Sequence, residues 1–150
     1  MKNKILFLLI FLMACSENTY DIERLYLENK ENINIVKDSL VNYGLQNDHF
    51  VFYDPFYDDK KIIGNQFTYI RAHKRINGVI YVDFCISNID HTGLFFVSDT
   101  SELKKMYKMY KEKKFEYYNI ELRIIDKNWF AYTQDHHATL MDINLENIDK

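Results

Sequence analysis

One dipeptide restricts the fold of this chain more than any other feature, Asn77-Gly78. It lies between two runs rich in β-branched and aromatic residues, Gln66–Ile76 and Val79–Asn88. Asn-Gly between such runs is the strongest short-range sign of a β-hairpin, because a two-residue primed turn needs positive φ at both central positions. The expectation is an antiparallel hairpin closed at these two residues. In its first arm Phe67, Tyr69, Arg71 and His73 fall on one face and Thr68, Ile70 and Ala72 on the other, following the period of two. His91-Thr92-Gly93 then turns the chain into a third adjacent strand, Leu94–Val97.

The remaining elements follow from local signals. Asp21 opens a helix to about Tyr43, with apolar residues at 22, 25, 26, 33, 36, 40 and 43. Asn29–Asn32 is its weak point, and Gly44 is expected to end it in the left-handed position. His49–Tyr53 reads as a strand. Asp54-Pro55-Phe56-Tyr57-Asp58-Asp59 breaks it, because Pro55 fixes its own backbone and biases Asp54 towards an extended shape. Asp99 caps a second helix, and Glu102 is placed to reach back as in a capping box. Leu103, Met106, Tyr107 and Tyr110 form its apolar stripe, with Lys104, Lys105, Lys108 and Lys111 lying away from it. Phe115–Ile125 reads as a strand, Asp126-Lys127-Asn128 as a turn, and Trp129–Thr133 as the returning strand. Asp135-His136-His137 breaks the chain before a short strand at Ala138–Ile143. Strand runs next to strand runs, with one intervening helix, predict an α+β fold. Its antiparallel β-sheet is built from hairpins and packed with an N-terminal helix and one further helix. The globular part is a single domain, residues 21–150.

The N-terminal segment carries an address. Lys2 and Lys4 precede an unbroken apolar run, Ile5–Phe11, extended by Leu12-Met13-Ala14. This is the layout of a secretory signal. The stretch Ile5–Ala14 has ten residues, whereas a bilayer span needs about 20. Leu12-Met13-Ala14-Cys15 resembles the lipobox of bacterial lipoproteins: a branched apolar residue, a free position, a small residue, then Cys. The resemblance implies diacylglyceryl attachment to the Cys15 thiol, cleavage after Ala14 and acylation of the new amino terminus. Residues 1–14 are then a signal peptide, and residues 15–20 a lipidated Cys with a short polar tether. Ser16 is not the Asp that resembles an inner-membrane retention signal in enteric bacteria, which favours the outer membrane in a cell that has one.

Removal of residues 1–14 leaves 136 of the 150 residues and a formal net charge of −5. A net-acidic envelope protein is a poor candidate for binding nucleic acid. With Cys15 lipidated, Cys85 has no partner for an internal disulfide. It sits in the strand-like run Tyr81–Ile86 and reads as a small buried apolar residue. The five histidines show no metal-ligand spacing, and adjacent His136 and His137 would point to opposite faces of a strand. No cofactor is expected. There is no nucleophile elbow and no glycine-rich phosphate loop.

These observations point to a membrane-tethered binding module for another envelope protein, as an assembly accessory or an inhibitor. Phe56, Tyr57 and Trp129 lie beside turn residues and are the expected exposed anchors, since aromatics are enriched at interfaces. The face formed by Lys104, Lys105, Lys108 and Lys111 is expected to meet anionic headgroups or an acidic partner. The alternative is a small hydrolase acting on cell-wall or lipid material. It would need a deep pocket joining two or more of His73, His91, His136, Asp54 and Asp83. A carrier of an apolar ligand would instead hold an empty apolar cavity between sheet and helix.

Overall fold

The computed structural model describes residues 21–48, 51–54, 67–87, 92–114 and 120–134. The signal and lipobox with Cys15, the Phe56–Tyr57 loop, His49, His91 and the segment from 135 onwards, with His136 and His137, lie outside the described residues. Among the described residues there are two helices and six strands: α1 (Ile22–Gln46), β1 (Val51–Asp54), β2 (Tyr69–Lys74), β3 (Ile80–Ser87), β4 (Thr92–Val97), α2 (Thr100–Lys111), β5 (Ile120–Asp126) and β6 (Trp129–Gln134). The strands form one sheet in the order β1-β2-β3-β4-β6-β5, with each neighbouring pair antiparallel. The fold is α+β, as the strand and helix signals predict.

Central strands β3 and β4 are buried along their described length, so both faces of the sheet carry apolar residues. Val82, Phe84 and Ile86 of β3 join Ile33, Val36 and Leu40 of α1 in one core. Tyr81 of β3 and Phe95 of β4 join Leu103, Met106 and Met109 of α2 in the other. The helices therefore cover opposite faces, and the alternation of β3 distributes its side chains between them.

Local chemistry sets the helix starts. Asp21 accepts from the backbone N–H of Arg24 at 3.1 Å. Asp99 accepts from the N–H groups of Ser101 and Glu102 at 2.6 and 3.2 Å, satisfying donors that a first turn leaves without partners. Glu102 does not close a capping box; its carboxylate accepts from the Tyr81 hydroxyl at 3.2 Å.

Several boundaries differ from the sequence expectation. Gly44 does not end α1, which continues to Gln46. It lies on the buried stripe Ile22, Tyr26, Ile33, Val36, Leu40, Gly44, so the inward face of the helix continues through it. Asn47 caps the end, its side-chain amide donating to Tyr43 O at 2.7 Å. Asn29–Asn32 does not interrupt the helix. Thr92 and Gly93 belong to β4, since Gly93 pairs with both Cys85 and Tyr132. The expected hairpin is present, but its turn is wider. Gly78 alone of the two has positive φ, at 81°. Arg75 N–H donates to Val79 O, and Gly78 N–H to Arg75 O, both at 2.9 Å. The loop is Ile76-Asn77-Gly78, a type I turn followed by a left-handed residue.

Trp129 requires the largest correction. It is 3% exposed and does not serve as a surface anchor. Its ring centroid lies 5.3 Å from that of Tyr26, 5.7 Å from Phe84 and 5.2 Å from Phe96. Pairing of Phe96 with Trp129 turns the indole onto the α1 face, where it fills the core between helix and sheet.

Candidate functional site

Three features combine charge or polarity with an unusual position: a buried acid on the sheet, a cleft at one sheet edge, and the lysine face of α2.

The buried acid is Asp83. Its side chain is 2% exposed, with the Arg71 guanidinium 3.3 Å from Oδ2. The Tyr132 hydroxyl donates to Oδ1 at 2.6 Å. Strand pairing creates this cluster: Arg71 lies opposite Asp83, Tyr69 opposite Cys85, and Gly93 between Cys85 and Tyr132. Gly93 leaves the room it needs, since a Cβ there would collide with Phe84 O and come within 2.9 Å of Tyr132 Oη. Burial raises the pKa of the Tyr132 hydroxyl well above its ordinary value, and the Asp83 charge adds to the effect. The hydroxyl therefore stays protonated and able to donate. Burial likewise pushes the Cys85 thiol up to about 11, which suppresses the reactive thiolate. The expected burial of Cys85 is observed, at 0% exposure.

A carboxylate with both oxygens engaged is a structural tie between β2, β3 and β6. Buried charges persist when paired and hydrogen-bonded, and losing one partner is expensive. Sequence reading proposed Asp83 only as a hydrolytic acid and missed Tyr132 and Gly93. The available signal was the glycine itself, since glycine inside an aromatic strand marks a close approach.

A half-open cleft of about 430 Å³ lies where α2 meets the edge strand β5 and its neighbour β6. Tyr107, Tyr110 and Lys111 line it from the helix, and Glu121, Leu122 and Arg123 from β5. Ile22, the first residue of α1, also reaches it. Neither His73 nor Asp83 is among its lining residues. Tyr107 and Tyr110 were expected in the core stripe, but both are only half-buried while Met109 takes the inner position. Tyr107 stacks on Phe130 with centroids 6.2 Å apart. Each tyrosine thus keeps an apolar body against the sheet and a polar end towards water. The Lys111 ammonium lies 5.2 and 5.6 Å from the two ring centroids, a cation–π arrangement that joins the lysine face to the cleft.

Lys104, Lys105, Lys108 and Lys111 are all exposed, as are Lys113 and Lys114 just beyond the helix. Lys108 forms a 3.7 Å surface ion pair with Glu112. Among the described residues, no three of His, Cys, Asp and Glu come together as metal ligands. No described helix is long and apolar enough to cross a membrane.

Comparison with protein-family models, with curated proteins and with solved structures gave no match.

Proposed function

We propose that this chain is an envelope lipoprotein, anchored through Cys15, whose domain binds another envelope protein without catalysing a reaction on it. The observation that carries the binding reading is the cleft between α2 and β5, where two half-buried tyrosines, a cation and apolar surface meet. Tyrosines that offer an apolar body and a polar end around a partly apolar depression are typical of protein-interface anchors. The volume falls in the range of sites that hold a small group, which here is a side chain of the partner. Buried side chains of two cores occupy the space between sheet and helices, which disfavours a carrier with an empty apolar cavity. The engaged Asp83 carboxylate disfavours its use as a hydrolytic acid.

The test uses the full chain expressed in its own envelope. A photo-crosslinking residue at Tyr110 should give a discrete adduct with one envelope protein. The same residue at Leu45, exposed at the other end of α1, should give at least tenfold less. Equal adducts from both positions would overturn the cleft as the binding site. In parallel, wild type should incorporate labelled palmitate and Cys15→Ser should not; full labelling of that variant would overturn the anchor.

A further inference from the structure

The lysine face of α2 lies beside the point where the domain begins. Ile22 lines the same cleft as Tyr110 and Lys111, and Asp21 caps α1 directly before it. Cys15 is six residues upstream of Asp21, a chain length that reaches at most about 21 Å. An anchor at Cys15 therefore holds this end of the molecule close to the lipid surface.

The segment 104–114 contains six lysines and one glutamate, in a chain whose formal net charge is −3. Stabilisation of the helix accounts for only part of this. Lys108 and Lys111 lie in the last turn, where cations complement the helix dipole. Lys104 and Lys105 lie before that turn and are exposed. Lys113 has φ of 59°, a conformation in which glycine is favoured and a lysine is strained. A positive charge thus occupies a position where backbone preference calls for glycine.

We infer that this face docks on anionic lipid headgroups of the membrane that holds the anchor, with Lys104, Lys105, Lys108, Lys113 and Lys114 as its contacts. This rests on the anchored reading above. Clustered lysines next to a lipid attachment point supply the second signal that stable, oriented membrane association uses. Docking on this face fixes the orientation of the domain and sets the neighbouring cleft near the headgroup plane. Its binding partner is then a protein segment at the membrane surface. On the opposite wall Arg123 is paired with Glu23 at 2.9 Å and Glu121 adds a negative charge, so the β5 side carries no net positive charge.

The test takes the mature protein as its own envelope processes it and adds it to vesicles of pure phosphatidylcholine and of phosphatidylcholine with about 30 mol% phosphatidylglycerol, an anionic surface of the kind that attracts basic segments. Lysine accessibility is read by amine labelling and mass spectrometry. Labelling of the α2 lysines should fall at least fivefold on the anionic vesicles and recover in high salt, which screens such contacts. Lys127, in the β5–β6 turn, should label equally on both. A variant with Lys104, Lys105, Lys108 and Lys113 all changed to Gln should lose the difference at Lys114, with its fold checked by circular dichroism. If that variant does not fold, the wild-type comparison between vesicles and salts decides alone. Equal labelling on both vesicles overturns headgroup docking and leaves the face to an acidic protein. Co-sedimentation of the protein with anionic vesicles only would support docking while overturning the anchor. Co-sedimentation with neither overturns both.

Discussion

At Gly93 the constraint is space, since its φ is not positive and only Gly78 among the described glycines has that conformation. A methyl group would meet the Phe84 carbonyl oxygen and crowd the Tyr132 hydroxyl off Asp83. Gly93→Ala should therefore disturb the β3–β4 pairing and leave a buried carboxylate short of a donor at once. Tyr132→Phe removes the donor alone and keeps the spacing. Leaving a buried charged group undersatisfied costs about 1–3 kcal/mol, and forcing atoms into a packed site adds about 1–3 kcal/mol. The expected order of stability in urea unfolding is wild type, then Tyr132→Phe, then Gly93→Ala. An alanine variant as stable as wild type would show that the sheet yields here without loss. Asp83 illustrates the same dependence on neighbours. Its residue type suggests an acid for chemistry, but Arg71 and Tyr132 occupy it, and both arrive through strand pairing.

The ends of elements separate what local sequence dictates from what packing dictates. Asp21 and Asp99 cap helices because a carboxylate near free N–H groups acts within one turn, so both helix starts were legible. Gly44 was misread because glycine stops a helix only when it adopts the left-handed conformation; here the buried stripe of α1 carries on through it. Trp129 was misread for a similar reason. Its place beside a turn is local, but the face it points to follows from register with β4. The lysine face was legible, since exposure follows from helical spacing. The cleft was not, because it joins Ile22 to residues about 90 and 100 positions later. At the end of α2 a lysine stands where glycine is preferred. Lys114 N–H donates to Met109 O and Lys113 N–H to Tyr110 O, both at 3.0 Å. These are the two bonds of a Schellman motif, with Lys113 in the left-handed position. Gly78 holds that conformation in the β2–β3 turn without a Cβ. Lys113→Gly should raise stability by about 0.5–1 kcal/mol, and Gly78→Lys should lower it by about 1 kcal/mol, the left-handed preference acting in opposite directions. Thermal melts of both variants check this, and a destabilised Lys113→Gly would mean that contacts of the lysine stem outweigh its backbone strain.

Across the whole molecule, the sheet order brings the β5–β6 hairpin beneath the N-terminal half of α1, and polar contacts fasten it there. Asp126 Oδ2 accepts from Lys30 Nζ at 2.6 Å and from the Tyr26 hydroxyl at 3.0 Å. This carboxylate joins residues about 100 positions apart and steadies the edge on which the proposed cleft and anchor converge. The Lys30 ammonium, then the Lys127 backbone N–H and the Tyr26 hydroxyl, hold its pKa down to about 2 from the ordinary 3.8. Burial, then contact with Asp126, raises the pKa of the Tyr26 hydroxyl, so it remains a donor. Because the folded pKa of Asp126 is depressed, its contribution to stability is fully present above the unfolded value near 4 and is lost as pH falls towards 2. The Asp126 side chain is 33% exposed. Solvent screening therefore reduces the contribution from the full linkage value to about 1 kcal/mol. Asp126→Asn should be less stable than wild type by about that amount at pH 7. Urea unfolding of the two proteins from pH 7 to pH 2 should show the gap closing between about pH 4 and pH 2, where wild type becomes neutral at this position. A gap that stays constant across this range would mean that packing of the side chain, and not its charge, holds the hairpin to α1.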